Sequence, residues 1–304
     1  MERLKLKQNF IERYNELTDF KEFEIYLNKF LRKAIRVNTI KSNINEVKKR
    51  LNFLDLKQIP WCKEGFWVES EKRNLGNLAE HKLGYIFVQE AASMIPSVLL
   101  DPKEKNLVLD VCSSPGAKTS HLAELMNNKG LIIANEKNFE RMSALTSNLN
   151  RCGVINTLVT LMDGRDIKYK FDKILLDAPC TSSGTIRGLT KSSQFLANSW
   201  NLNKIVSTSG LQKKLILNSF NNLNSKGTLV YAVCSLEPEE GEEVIQFLLD
   251  NSDAKIEKID LNIKSGINLD FKNKEFSKEI KKCLKLWPQY YDTEGFFIAK
   301  IKKP

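Results

Sequence analysis

The chain has 304 residues, 42% of them hydrophobic, and its 47 Lys and Arg outnumber its 37 Asp and Glu by ten. A chain of this length and composition buries a core of its own, which excludes a disordered tail, a fibre and a disulfide-held miniprotein. Its length suggests two folded units, and the lack of any repeat at a fixed period excludes solenoids and propellers.

The first 57 residues hold 14 Lys and Arg against 8 Asp and Glu, a surplus of six in under a fifth of the chain. Cations gathered at one end suit a polyanionic partner, because Lys and Arg that neutralise phosphates release counterions from nucleic acid. A solvated, Lys-rich face explains the charge equally well by itself. In this stretch LKQNFIERYNEL and FEIYLNKFLRKAI space apolar residues three and four apart and predict helices; RVNTI alternates like a strand, and INEVKKRL predicts another helix. FWVES and GYIFVQ follow as strands and EAASMIPSVLL as an apolar helix over residues 90–100.

From residue 106 the pattern becomes strand, helix, strand, the signature of an α/β fold with a mostly parallel sheet and right-handed crossovers. The predicted strands are NLVLDVC (106–112), GLIIANE (130–136), TLVTLM (157–162), FDKILLDAP (171–179), GTLVYAVC (227–234) and GFFIAKIK (295–302). KTSHLAELM, FERMSALTSNLNRCG, LQKKLILNSFNNL and PEEGEEVIQFLLDN supply the intervening helices. Such sheets bind ligands outside the carboxyl ends of their strands, so residues just after each strand are the candidates.

The first of these strands runs into a loop of small residues, Cys112, Ser113, Ser114, Pro115, Gly116 and Ala117, before Lys118 and a helix. A tight turn there lets backbone amides approach a ligand at the helix N-terminus. The loop is neither G-x-G-x-x-G nor G-x-x-x-x-G-K-[ST], which disfavours a dinucleotide or a triphosphate. Glu136 ends the second strand, where cofactor folds place an acid for ribose hydroxyls. Asp163-Gly164-Arg165 forms a third polar cluster at the same rim, and the three together outline a nucleoside-shaped ligand.

Six cysteines stand at 62, 112, 152, 180, 234 and 283 with no C-x-x-C, and the histidines are His81 and His121, so no metal site is expected from spacing. The start MERLKLKQNF lacks an apolar signal core, and no run approaches a membrane span, which predicts a soluble, cytoplasmic protein with reduced thiols. Cys62, Cys152 and Cys283 read as core hydrophobes. Cys180 and Cys234 differ, because they fall at the ends of neighbouring predicted strands and share that rim with Asp177. Two thiols and an acid in one cleft suggest covalent catalysis.

The runs LDVCSSPGAKTSHLAELM, FDKILLDAPCTSSG, LVYAVCSLEPEEGEEVI and WPQYYDTEGFFIAKIKK together resemble the Nop/Sun RNA cytosine-5 methyltransferases. The resemblance extends upstream through RVNTIK, PWCKEGFWVES and GYIFVQEAASMIPSVLLDP, where it is most like the compact archaeal tRNA 5-methylcytidine enzymes. It implies a class I S-adenosylmethionine-dependent methyltransferase fold: a Rossmann-like, mostly parallel seven-stranded sheet over residues 101–304, with a smaller N-terminal α+β RNA-binding domain over residues 1–100. The cofactor would be S-adenosyl-L-methionine, held by residues 112–118, by Glu136 at the ribose, by Asp163 near the adenine, and by Arg141 and Asp177 beside it. The resemblance further makes Cys234 the nucleophile, Asp177 the contact to the target base, Cys180 the residue that assists release, and Lys118 a neighbour of Asp177 and the base. Three positions depart from the family pattern: Ala117 for a second Gly, Glu136 for Asp, and Gly241 where Asn normally follows PEE.

The expected function is cytosine-5 methylation of RNA by a monomer, with tRNA ahead of ribosomal RNA. An amino-group methyltransferase fits less well, since such enzymes carry an aromatic residue where Cys180 stands. A catalytically silent RNA-binding or assembly protein would keep the fold, and retention of both cysteines, Asp177 and Lys118 argues against it.

Overall fold

The structure, a computed structural model, describes residues 3–69, 74–271 and 274–304. Two compact units interleave along the chain. One comprises Met1–Leu31, Ala178–Leu217 and Tyr231–Lys302; the other comprises Arg32–Asp177, Asn218–Val230 and Lys303–Pro304. Each is described separately, starting with the second.

The second unit opens with four antiparallel strands, β1 (Lys33–Val37), β2 (Asp55–Gln58), β3 (Gly65–Glu69) and β4 (Ile86–Val88), in the order β2-β3-β1-β4. Ser70, the end of the predicted strand FWVES, lies outside the described residues. The helix predicted across FEIYLNKFLRKAI stops at Asn28, and Lys33–Val37 is a strand. The reason is non-local: Ile35 faces Phe66 on one side and Val88 on the other, so a β-branched stretch with helical spacing is claimed by two strands at once. Ile35, Val37, Val47, Phe66 and Ile86 are fully or almost fully buried in one cluster, each contributing about 1.5–3 kcal/mol of apolar transfer. The helix predicted over residues 90–100 is divided: a 3-10 turn covers Ala92–Met94, and the α-helix runs only from Ile95 to Leu100. Pro96 sets that start, since it lacks an N–H and suits a first helical turn.

The same unit holds the parallel strands β5 (Leu107–Asp110), β6 (Leu131–Glu136), β7 (Thr157–Leu161) and β8 (Phe171–Asp177), with β9 (Leu223–Val233) beside β8, in the order β9-β8-β5-β6-β7. Their near-continuous Leu, Ile and Val runs suit a sheet buried on both faces. Helices Ala117–Leu125 and Phe139–Cys152 make the crossovers from β5 to β6 and from β6 to β7. Both begin just past a strand's carboxyl end, which places the residues of interest along one rim.

In the first unit, β14 (Phe296–Lys302) is flanked antiparallel by β10 (Lys255–Glu257) and β13 (Leu284–Leu286), and residues 231–233 of β9 lie beside it. A short ladder pairs β11 (Asp270–Phe271) with β12 (Lys274–Glu275). Helices Gln8–Leu17 and Phe20–Asn28 pack an aromatic cluster in which Phe10 stacks on Tyr14 at 4.2 Å and Tyr14 on Phe23 at 5.1 Å. Below it, buried Glu237 accepts hydrogen bonds from Arg13 Nε at 2.7 Å, Tyr14 Oη at 2.8 Å and Trp200 Nε1 at 2.8 Å. Among the described residues no helix is long and apolar enough to cross a membrane.

Candidate active site

In the second unit β5 ends at Asp110 and the chain turns through Cys112–Ala117 into a helix. Gly116 sits at φ +98°, a left-handed conformation, and a Cβ there would lie 3.1 Å from Leu145 Cδ1, so glycine is required. The turn is held from outside. Ser113 donates through N and Oγ to the Asn135 carbonyl at 2.9 and 2.8 Å; Ser114 Oγ donates to the Arg141 carbonyl at 2.9 Å; and Arg141 Nη2 returns a bond to the Ser114 carbonyl at 2.8 Å. Ala117 opens the helix. Burial and the nearby Asp110 push the Cys112 thiol up, so it stays protonated.

Asp110, Cys112, Ser114, Lys118 and Asp177 line the small cleft above this loop. Lys118 Nζ and Asp177 Oδ2 are 2.7 Å apart, which joins the end of β8 to the helix after β5. Asp110 is 1% exposed; its Oδ2 accepts from Thr119 Oγ1 at 2.7 Å, while its Oδ1 has no hydrogen-bond partner. Burial raises this carboxyl to about 7, with the Asp177 charge adding to the effect and Thr119 opposing it.

Glu136 ends β6 with Oε1 accepting from the backbone N–H of Lys137 at 2.9 Å and of Asn138 at 2.8 Å. Its Oε2 is buried without a hydrogen bond and has only the Arg141 guanidinium, 3.5 Å away. Asp163 follows β7 among cations: Arg165 donates Nε at 2.9 Å and Nη2 at 2.6 Å, and Lys137 Nζ stands at 2.6 Å. The Arg165 bonds in particular hold its carboxyl well below the usual range. The residue that aligns this rim is Asn135, which the sequence reading passed over. Its side chain donates to the carbonyls of Val111 and Met162 at 3.0 Å each and accepts from Thr160 Oγ1 at 3.0 Å, lacing together the ends of β5, β6 and β7. An Asn inside the aliphatic run GLIIANE was the available signal.

The two rim cysteines belong to the first unit and stand together: Cys180 Sγ and Cys234 Sγ are 3.1 Å apart, with Ser182 Oγ at 3.9 Å from the first and 3.6 Å from the second. The hydrogen bond with Cys234, reinforced by burial, holds the Cys180 thiol well above the ordinary thiol range. Ser182 adopts φ +59°, unusual for a side-chain-bearing residue, and so closes the loop beneath the thiols. Gly184 N donates to the Cys234 carbonyl at 3.1 Å, tying one cysteine loop to the other. Cys62, Cys152 and Cys283 are buried. Cys62, Glu64 and His121 bring ligand-type atoms within 4.8 Å of one another in the second unit, but burial pushes the Cys62 thiol up to about 12, and it donates to Glu64 as a neutral group.

Residues 97–302, more than half of the chain, match the family described as 16S rRNA methyltransferase RsmB/F. The chain belongs to this family. Residues 6–91 match the N-terminal domain of 16S rRNA methyltransferase RsmF. The RsmB/F proteins are the Nop/Sun RNA cytosine-5 methyltransferases, and they use S-adenosylmethionine. The tRNA (cytosine(49)-C(5))-methyltransferase of Pyrococcus abyssi is 44% identical over 99% of this chain and 97% of its own length. Ribosomal RNA small subunit methyltransferase F of Psychromonas ingrahamii is 40% identical over 90% of this chain, which spans only 57% of that relative. The solved structure of a methyltransferase homologue protein from Pyrococcus horikoshii superposes with a TM-score of 0.88 at 38% identity, covering 99% of this chain and 96% of that one. The architecture is therefore the class I S-adenosylmethionine-dependent methyltransferase fold expected from the motifs.

Proposed function

We propose that this protein transfers a methyl group from S-adenosyl-L-methionine to C5 of a cytosine in tRNA. The observation that carries the reading is the pair of thiols, Cys180 and Cys234, 3.1 Å apart. An amino-group methyltransferase has no use for such a pair. The tRNA substrate is favoured because the relative similar over nearly the full length of both chains is named for tRNA, whereas the chain spans 57% of the ribosomal RNA enzyme it matches. Ribosomal RNA is the second reading.

The cleft suits the methyl donor. Glu136 offers a buried, unbonded carboxylate oxygen where ribose hydroxyls would lie, and Asp110 offers another beneath the loop of residues 112–118. When bound, the donor supplies a methyl on a sulfonium. Arg141 steadies both Glu136 and the loop, and Asp163 would have to exchange one of its cationic partners to meet the adenine.

C5 of cytosine is a weak carbon nucleophile until a group adds at C6. In the proposed sequence the Cys234 proton passes by way of Asp177 to N3 of the base as the sulfur bonds C6, the Asp177 carboxylate then accepts from the N3/N4 edge, and Lys118 holds that carboxylate in place. C5 then takes the methyl and gives up its proton to a water that Cys180 positions. The C6–sulfur bond breaks with its electron pair leaving on sulfur, and the N3 proton returns by way of Asp177 to regenerate the Cys234 thiol. The target base has to leave its stack to be reached, at a cost of a few kcal/mol. Residues 1–100, with their basic surplus, are proposed as the RNA-binding region and residues 101–304 as the catalytic one, in a cytoplasmic monomer.

The test is transfer of labelled methyl to unmodified tRNA and ribosomal RNA transcripts, with nucleoside analysis. Wild type should place label in 5-methylcytidine of tRNA, and Cys234→Ala should lower it by at least about a thousandfold, as expected for loss of a nucleophile. Label in another nucleoside, or undiminished 5-methylcytidine in the variant, would overturn the reading.

A further inference from the structure

Glu240 has no place in the reaction just described, yet it is fully buried and makes more side-chain hydrogen bonds than either cysteine. Its Oε1 accepts from Thr181 N at 3.0 Å and from Gln212 Nε2 at 3.0 Å. Its Oε2 accepts from Thr181 Oγ1 and from Ser235 Oγ, both at 2.5 Å. Thr181 directly follows Cys180 and Ser235 directly follows Cys234, so one carboxylate takes a hydroxyl from the loop of each thiol. Gln212 extends the clasp by donating to the Pro179 carbonyl at 2.9 Å, on the other side of Cys180. Glu240 itself is fixed by Tyr231 Oη, which donates to its main-chain carbonyl at 2.6 Å.

We propose that Glu240 is the positioning residue that sets the spacing of Cys180 and Cys234, acting through Thr181 and Ser235. This rests on the reading of those cysteines as the reacting pair. Both thiols sit on loop segments beyond their strands, where no ladder bond fixes them. A satisfied buried network gives such loops one arrangement, and removal of its hub takes away the acceptor that four donors share. The carboxylate needs no access to RNA or to the methyl donor, which distinguishes it from Asp177 and Lys118.

The spacing can be read independently of methylation. Diamide removes one hydrogen from each of two neighbouring thiols, is itself reduced to the hydrazine, and leaves a disulfide. In the full-length protein, peptide mapping would follow formation of the Cys180–Cys234 bridge alongside kcat, the KM for tRNA and methyl-donor affinity. Glu240→Ala is expected to slow bridge formation and lower kcat by about tenfold or more, with KM and donor affinity within about twofold, as displacement of a reacting group by an ångström or so would do. Glu240→Gln should recover most of both, since its amide oxygen can accept from Thr181 N and Gln212 while its amide N–H groups donate to the two hydroxyls turned about. Should Glu240→Ala fail to fold, Ser235→Ala and Thr181→Val each remove one arm and should show the same two effects in smaller measure. Wild-type rates of bridging and turnover in Glu240→Ala, or in both single-arm variants, would overturn the proposal. Slowed bridging in a protein whose wild type makes no 5-methylcytidine would support the positioning role and refute the methylation reading instead.

Discussion

At the scale of single residues, Asp110 stands out as an acid whose carboxyl is raised from 3.8 to about 7, chiefly by burial. For a raised acid, the unfolded chain releases the proton at lower pH than the folded protein does. Asp110 therefore costs the free protein stability progressively between about pH 4 and about pH 7, with no further change above that. A cationic ligand in the cleft it lines reverses the preference, because a neighbouring positive charge favours the carboxylate. Methyl-donor affinity should accordingly tighten as pH rises from 6 to 8, by up to about tenfold for each unit by which the ligand lowers that carboxyl. Calorimetric titrations of wild type and Asp110→Asn check this; the variant should be flat over the same range. Asp110 was visible in the sequence only as a letter inside the predicted strand NLVLDVC. Its two oxygens, one bonded and one bare, depend on Thr119 returning from the next helix turn.

At the scale of elements, the second unit joins β1 to the helix Ala117–Leu125 through one buried guanidinium. Arg36 donates to Glu124 through Nη2 at 2.8 Å and Nε at 3.0 Å, to the Ala117 carbonyl at 2.8 Å, to Ser120 Oγ at 2.8 Å, and to Gln89. Removing it leaves Glu124 as an uncompensated buried charge. Arg36→Ala should thus lower unfolding free energy by about 3–5 kcal/mol in chemical denaturation, whereas Arg36→Ala with Glu124→Ala should lose less than the sum of the single losses. In the first unit Gly241 precedes the helix Glu242–Asp250 at φ −108°, outside the left-handed region that favours glycine, and the packing around it leaves no room for a side chain. A Cβ there would come within 2.8 Å of Phe297 Cδ2 and 2.9 Å of its Cγ, in a ring that is itself fully buried. The glycine and the Phe on β14 fit as a pair. Gly241→Asn should destabilise by about 1–3 kcal/mol, and adding Phe297→Leu should restore part of that, as thermal denaturation of the three variants would test. No spacing rule in the sequence relates residue 241 to residue 297.

At the scale of the whole molecule, the net charge of +10 and the basic surplus of the first 57 residues bear on RNA affinity rather than on fold. Lys48, Lys49 and Arg50 end the helix Ile44–Arg50 as three consecutive exposed cations. If they contact phosphates, replacing all three by Ala should weaken tRNA binding and reduce the slope of log affinity against log salt by about 2–3, at roughly 0.7–0.9 per phosphate. Methyl-donor affinity should not change. Filter binding over a salt series would measure it, and an unchanged slope would remove these residues from the RNA contact.

The sequence by itself determined the parallel α/β core and its strand order of appearance, because continuous aliphatic runs, turn residues and helical periodicity are local signals that the tertiary structure had no reason to override. It also placed Cys180, Cys234, Asp177 and Glu136 at or just past strand ends and Lys118 in the turn after the first parallel strand, since the carboxyl ends of parallel strands are predictable once the strands are. What only the tertiary structure decided is what depends on partners distant in the chain. Ile35 becomes a strand because β3 and β4 both pair with it, and Asn135 becomes a brace because three strand ends meet around it. Glu240 becomes the joint between two thiol loops because Thr181, 59 residues away, and Gln212, 28 residues away, both reach it. Local pattern encodes which way a side chain faces; only packing encodes what it meets there, since a buried polar group is defined by the partners that satisfy it.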